Sequence, residues 1–301
     1  MIEYSIVIPV RDRSDLLVEC LDALSRQDTD FGSCEVIVCD DGSRVDIETT
    51  IQNFRKFFPH FKLRRQEPSG PAAARNLGIR DSSGEIVVFI DSDVLPESEM
   101  VRLLIQYLKD NPTAMGAEAA LVPFGEGSGP LWDAPASVEG GRFHTAAIAY
   151  RRAALVRAGG FDEEFKLPAC EDAELAARIL LQGAIGFAPE AVARHPKRRI
   201  TLRTHWKYQK YWKYVVILAR RYGFSAFPGN AVGRFPRLRI AVSAVLTLPM
   251  GRFFTGLRYL KHSISEGALA CAFGLFDVFC GALALPDILL SPIPERKLYV
   301  K

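Results

Sequence analysis

Two acidic clusters in this sequence have the residue types and spacing to do chemistry. Asp91-Ser92-Asp93 sets two carboxylates one residue apart, directly behind the apolar run Ile86 to Ile90. Hard divalent cations such as magnesium and manganese prefer oxygen ligands, and they need few protein carboxylates when phosphates supply the rest. A cation held here would neutralise charge on a diphosphate leaving group; the other reading is a solvated turn after a core strand. Asp40-Asp41-Gly42-Ser43 also ends an apolar run. Its carboxylates could accept hydrogen bonds from a nucleotide base or ribose, or form a plain Asp-Gly turn. Arg194, Lys197, Arg198 and Arg199 surround His195 and read either as contacts to a diphosphate or phospholipid or as a solvated basic loop.

Such groups need elements to position them. Short apolar runs at Ser5 to Pro9, Glu35 to Cys39, Phe61 to Arg65, Glu85 to Ile90 and Thr145 to Tyr150 predict strands. Helical spacing marks Leu16 to Leu24, Ile51 to Phe58, Ala72 to Ile79, Glu99 to Leu108, Arg151 to Ala158 and Glu171 to Leu181. Gly159-Gly160 stops one of these helices, and Gly125 to Gly129 reads as a mobile loop. The alternation argues for an α/β fold with a mostly parallel sheet covered on both faces. Ligands of such sheets bind at the carboxyl ends of the strands, so both acidic clusters are expected in one cleft.

The 301 residues suffice for one large catalytic domain plus an appendage, and 49% hydrophobic with 24% charged residues excludes global disorder. Met1 to Pro9 lacks a basic leader, a long apolar stretch and a cleavage site, which predicts no signal peptide. Six scattered cysteines without a C-x-x-C pair read as reduced thiols rather than a zinc site. Charge is strongly asymmetric: net −12 over residues 1–190 and net +15 over residues 191–301, with sixteen basic and no acidic residues between Ala191 and Ser265. Aromatic Trp206, Tyr208, Tyr211 and Trp212 interleave with Lys207, Lys210 and Lys213, as in a helix lying on an anionic membrane surface. Ile240 to Met250 is too short to span a bilayer, and Asp277 interrupts the apolar stretch Ala268 to Leu285. A charge there is costly in lipid, which favours an interfacial or re-entrant hairpin. Nucleic acid is the weaker partner for this tail, despite its aromatics.

In order and spacing, Ser5-Ile-Val-Ile-Pro9-Val10, Glu35 to Ser43, Gly70-Pro-Ala-Ala-Ala-Arg75-Asn76-Leu-Gly78, Val88-Phe-Ile-Asp91-Ser-Asp93, Gly159-Gly-Phe-Asp-Glu163 and Glu171-Asp172 resemble glycosyltransferase family 2. The resemblance covers roughly residues 3 to 200. It implies a GT-A (Rossmann-like) fold, a nucleoside-diphosphate sugar as donor, Mn2+ or Mg2+ as cofactor, and inversion at the anomeric carbon. By the same resemblance, Pro9, Val10 and Arg11 with Asp41 would hold base and ribose, and Arg75, Asp91 and Ser92 would line the donor. Asp93 would be the main metal ligand, supported by Asp91, with His195 as a further metal or phosphate contact. Asp172 would be the general base. Residue physics alone also admits Asp172 as an acid stabilised by a helix N-terminus, and His195 as a structural histidine.

The resemblance predicts a catalytic domain over 1–200, donor side to about 95 and acceptor side from about 96, followed by a basic, apolar membrane-associating region over 201–301. Arg11-Asp12-Arg13 stands where family members often carry an acid, which bears on base preference. The Q-x-x-R-W motif of processive members is absent, so single transfers are expected. The acceptor would be lipid-linked or a glycan, met at the cytoplasmic face of a membrane. Two other classes fit parts of the pattern. A non-catalytic nucleotide-sugar or lipid-binding adaptor would keep the fold and the basic tail. A sugar nucleotidyltransferase would want a glycine-rich loop where Val10 to Arg13 has none.

Overall fold

The computed structural model of the chain describes residues 1–222, 265–266 and 268–277. Two compact units form: Met1–Phe124 with Pro135–Pro196, and Gly125–Ala134 with the chain from Lys197 onward.

The first unit holds the strands β1 (Tyr4–Val10), β2 (Cys34–Asp40), β3 (His60–Arg65), β4 (Ile86–Ile90), β5 (Leu95–Pro96) and β6 (Gly116–Phe124). Strand β7 (Trp132–Asp133) belongs to the second unit, and β8 (Ala147–Arg151) and β9 (Ile185–Pro196) return to the first. The eight strands of the first unit form one sheet in the order β3-β2-β1-β4-β8-β6-β9-β5. Strands β3, β2, β1 and β4 are mutually parallel, β8 is antiparallel to β4 and β6, and β9 runs parallel to β6. The sheet is thus mixed and mostly parallel.

Helices cover both faces: α1 (Ser14–Ser25), α2 (Ile47–Ile51), α3 (Pro71–Asp81), α4 (Met100–Asp110), α5 (Arg152–Ala158) and α6 (Glu171–Leu180). Side chains of a strand alternate between faces, and β1 accordingly feeds two cores. Ile6, Ile8 and Val10 pack with Leu17, Leu21 and Leu104, whereas Val7 packs with Phe89, Leu155 and Leu175. All seven residues of β2 are buried, the mark of a strand covered on both sides. Helix α3 lies close to the sheet because its inner face is small: a Cβ on Gly78 would sit 2.3 Å from Val7.

One local expectation changes, and two features have no counterpart in the sequence pattern. The stretch Ile51 to Phe58 is not one helix. Helix α2 ends at Ile51, a 3-10 turn covers Gln52–Phe54, and Phe58 leaves to meet Phe31 edge-to-face (4.9 Å) and stack on Phe61 (5.5 Å). Strand β6 has no counterpart in the sequence pattern. Its small residues suit a crowded central position, where a Cβ on Gly116 would meet the Tyr150 ring at 2.6 Å. Strand β9 carries a bulge against β6: Ala119 pairs with Ala188, but Ala120 pairs with Val192.

In the second unit, β7 pairs with β10 (Arg198–Arg199), and Leu131, Ile200, Ala270 and Phe273 form a small core. The basic aromatic stretch is two helices, α7 (Leu202–Gln209) and α8 (Trp212–Tyr222), separated where Lys210 N–H closes a tight turn on the Lys207 carbonyl (3.1 Å). Residues 268–277 are helical. Asp277 does not stand alone in this apolar stretch: its Oδ1 accepts from Gln209 Nε2 (2.6 Å) and lies 3.4 Å from His205 Nε2. Among the described residues no helix is long and apolar enough to cross a membrane. The segment 240–250, and 268–285 beyond Asp277, lie outside the described residues.

Candidate active site

Strands β1, β2 and β4 are in parallel register and end at Val10, Asp40 and Ile90, so the turns that follow them share one edge of the sheet. The first two turns are laced together. Asp12, at φ 53°, donates its N–H to Ser43 Oγ (2.9 Å) and accepts from Arg44 N–H (2.7 Å). Asp41 N–H donates to the Val10 carbonyl (2.9 Å), while Pro9 and Val10 complete the strand and Val10 is buried. The Asp41 carboxylate accepts from Gln66 Nε2 (2.9 Å), Ser69 N–H (2.7 Å) and Gly70 N–H (2.9 Å), with Arg11 Nη1 at 3.6 Å. A carboxylate has about four acceptor positions, so Asp41 is largely engaged in fastening the turn that launches α3. That turn needs Gly70, whose φ is 99° and whose Cβ would stand 2.7 Å from the Lys166 carbonyl oxygen.

The third turn carries Asp91, Ser92 and Asp93. Ser92 is buried behind the two carboxylates. Asp91 Oδ1 accepts from Arg75 Nη2 at 2.7 Å, and Arg75 Nη1 donates to Glu171 Oε1 at 3.0 Å. Arg75 is buried, with its guanidinium 5.6 Å from the Phe161 ring centroid. One arginine of α3 therefore ties the end of β4 to the start of α6. Burial pushes Asp91 upward, but the charge and hydrogen bond of Arg75 outweigh it and hold the carboxyl below its usual range. Glu171 goes the other way. Burial and the neighbouring Asp172 charge raise it to about 7 against the pull of Arg75. Asn76, next on α3, bonds both the N–H (2.7 Å) and the carbonyl (2.9 Å) of Phe161, which anchors the Gly159-Gly160 loop.

Asp93 is held differently. Its Oδ2 accepts from Arg13 Nη1 at 2.7 Å, and its Oδ1 lies 3.9 Å from His195 Nε2. His195 Nδ1 is 3.0 Å from the Pro196 carbonyl, which assigns the proton to Nδ1 and leaves the Nε2 lone pair toward Asp93. Burial lowers the His195 pKa, favouring the neutral imidazole that binds metals. A buried carboxylate and a neutral imidazole so arranged fit two positions of a Mn2+ or Mg2+ shell. Asp91 turns one oxygen to Arg75, and the charges of His195 and Arg13 act on it as well. Among the described residues, no three His, Cys, Asp or Glu side chains form a group able to hold a metal ion, so phosphate and water would fill the other positions. Of the surrounding basic residues, Arg194 pairs with Glu97, Lys197 donates to the Gly127 carbonyl (3.3 Å) and Arg199 pairs with Glu266 (2.9 Å).

Asp172 lies in the first turn of α6, entered through Cys170 at φ 69°. Its Oδ1 accepts from Ala173 N–H (2.8 Å), and its Oδ2 lies 3.4 Å from His144 Nδ1. His144 follows a loop fastened by Glu118 of β6: the carboxylate accepts from Ser137 Oγ (2.6 Å), Gly141 N–H (2.7 Å) and Phe143 N–H (2.9 Å). Sequence reasoning had no role for Arg13, Glu118, His144 or Glu171. The one local signal was Glu118 itself, an acid amid Gly-Ala and Ala-Ala that burial requires to be fully bonded.

Residues 5–126 match the model of glycosyl transferase family 2. A pre-mycofactocin glycosyltransferase of Mycobacterium tuberculosis is 30% identical over 214 residues, 65% of this chain and 43% of that protein. A GalNAc(5)-diNAcBac-PP-undecaprenol beta-1,3-glucosyltransferase of Campylobacter jejuni is 34% identical over 95 residues, 31% of this chain and 30% of that protein. The chain thus spans less than half the length of these relatives. Among solved structures, a mannosyltransferase of Pyrobaculum calidifontis in complex with GDP-Man and Mn2+ superposes with a TM-score of 0.59 at 20% identity, covering 96% of this chain and 86% of that one. Residues 5–126 therefore belong to glycosyl transferase family 2, and the eight-stranded sheet that carries them has a GT-A fold.

Proposed function

We propose that this chain transfers a sugar from a nucleoside-diphosphate donor to a hydroxyl of a lipid-linked or glycan acceptor, once per encounter and with inversion. The observation that carries this reading is the Arg75 bridge, which ties Asp91 at the end of β4 to Glu171 beside Asp172. A donor subsite and a base are thereby held in one rigid frame. The turns after β1 and β2, with Arg11 and Asp41, form the nucleotide side. Asp93 and His195 would hold Mn2+ or Mg2+, which when bound supplies charge neutralisation for the diphosphate. Arg13, half-exposed on Asp93, swings aside for it.

On the acceptor side, a carboxylate oxygen of Asp172 takes the hydroxyl proton as the acceptor oxygen bonds to the anomeric carbon. The bond from that carbon to the diphosphate breaks, and its electron pair leaves with the nucleoside diphosphate. Attack from the face opposite the leaving group inverts the centre. The undecaprenol-linked acceptor in the name of the Campylobacter relative, and the uninterrupted positive charge of residues 191–265, support an acceptor presented at an anionic membrane face.

The test is release of free nucleoside diphosphate from UDP-glucose, UDP-N-acetylglucosamine and GDP-mannose, with and without Mn2+ and a lipid extract. Asp93→Asn is expected to reduce turnover by about 100–1000-fold, the size seen when one transition-state charge contact is lost. Asp172→Asn is expected to abolish transfer while donor still binds. Undiminished turnover in both variants would overturn the proposal.

A further inference from the structure

The contact between His144 and Asp172 is supported by more structure than a surface loop requires. The segment leading to His144 has three residues in the left-handed region: Gly140 (φ 74°), Gly141 (φ 78°) and Phe143 (φ 58°). Such a conformation in a bulky aromatic residue is unfavourable and persists only when the surroundings impose it. Glu118 imposes it. This carboxylate is buried, yet what neutralises it is the Ser137 hydroxyl and the N–H groups of Gly141 and Phe143. A buried charge balanced by neutral donors is a demanding way to fasten a loop. What the loop delivers is His144, whose Nδ1 meets Asp172 Oδ2 at 3.4 Å, with both side chains partly exposed. Asp172 Oδ1 is already tied to its own helix through Ala173 N–H.

We propose that His144 is a positioning residue for Asp172: with Glu118 behind it, the imidazole fixes the second carboxylate oxygen and so sets the rotamer in which Asp172 receives the acceptor proton. The inference rests on the reading of Asp172 as the base. It acts through geometry, because catalytic hydrogen bonds that are long without substrate tighten when substrate binds. The charged groups facing His144 are Asp172 of α6, Glu118 of β6, Arg142 of its own loop and, more weakly, His195 of β9. Burial would lower the imidazole, but the hydrogen bond and charge of Asp172, aided by Glu118 and opposed by Arg142, raise it above its ordinary value.

The first test needs no substrate. The chain has five histidines, and in histidine-labelled protein His144→Gln identifies the His144 resonance. Its titration midpoint is expected to lie above that of an unperturbed imidazole and to fall in Asp172→Asn. A midpoint indifferent to Asp172→Asn overturns the proposal. The second test uses hydrolysis of the three donors named above. His144→Gln keeps the packing but loses the donor at Nδ1; His144→Asn restores an N–H near that place. The Gln variant should lose about 10-fold or more in kcat with donor KM unchanged, and the Asn variant should recover to within about threefold of the wild type, the range for groups that orient a reacting ligand. Equal loss in both variants, or loss in neither, overturns the proposal. Turnover that survives Asp172→Asn overturns the reading of the base instead, which separates the two failures.

Discussion

One motif contains two carboxylates, each held by an arginine, and the two pairs are built in opposite ways. Arg75 on Asp91 is sealed: its side chain is 4% exposed, it also grips Glu171, and an aromatic ring lies over it. Arg13 on Asp93 is open: its side chain is 42% exposed. A buried ion pair cannot exchange partners without leaving charges stranded in a low dielectric. Arg13 keeps its head half in solvent and can swing out, whereas Asp93, 2% exposed, then needs another cation. The sealed pair is therefore architecture, joining the end of β4 to the start of α6. The open pair marks the carboxylate that is able to change partner. On the proposed reading, this division makes Asp93 rather than Asp91 the carboxylate that would take up the cation.

Removing the sealed arginine should have the largest effect. Arg75→Met leaves Asp91 and Glu171 without their shared cation, and urea unfolding is expected to show a loss of about 3–5 kcal/mol, typical of a broken buried pair. A loss under 1 kcal/mol, typical of exposed pairs, would erase the contrast between the two arginines. The next effect depends on pH. Folded Glu171 binds its proton more tightly than the unfolded chain, because its pKa is raised from 4.5 to about 7. Its stabilising contribution is then complete below the unfolded value and lost as pH rises through about 7. Unfolding midpoints of the wild type should decline across that window, and Glu171→Gln should flatten the decline. A rise in wild-type stability that the Gln variant removes would reverse the sign of the effect. The smallest effect belongs to the open pair. Arg13→Gln should cost less stability than Arg75→Met, since one carboxylate rather than two loses its cation, while lowering the Mn2+ concentration needed for half-maximal protein fluorescence change. An unchanged Mn2+ requirement would mean that Arg13 and a cation do not compete.

Much of the donor side was legible because its signals are local. Apolar runs ending in Asp40-Asp41 and Asp91-Ser92-Asp93 identify strands and their carboxyl ends at once, and the parallel register of β1, β2 and β4 aligns those ends. The other half was harder. Strand β6 opens on Gly116, Ala117, Glu118, Ala119 and Ala120 and carries Pro123 near its end, residues that are depleted in strands. Its identity comes from the neighbours it must fit, Tyr150 among them. The links that make the site are non-local: Arg75 to Glu171 spans 96 positions, and Arg13 to Asp93 spans 80. No spacing rule reaches that far. Asp41 illustrates a further difficulty, since turn chemistry and nucleotide contact call for the same residue type, and here the turn takes three of its hydrogen bonds.

The bulge in β9 has a consequence for the placement of His195. Between Ala119 and Ala120 the partner strand advances from Ala188 to Val192, so three residues enter without partners. Side chains alternate along a strand, and the inserted residues break that alternation once. Ala188 and Ala193 therefore point into the same core, and His195, two residues beyond Ala193, takes that side as well. In a strand without the bulge, Arg194 would occupy that side and His195 would face away from Asp93. The bulge thus resets the alternation, and Ala191, Ala193 and His195, all buried, share the side of Ala188.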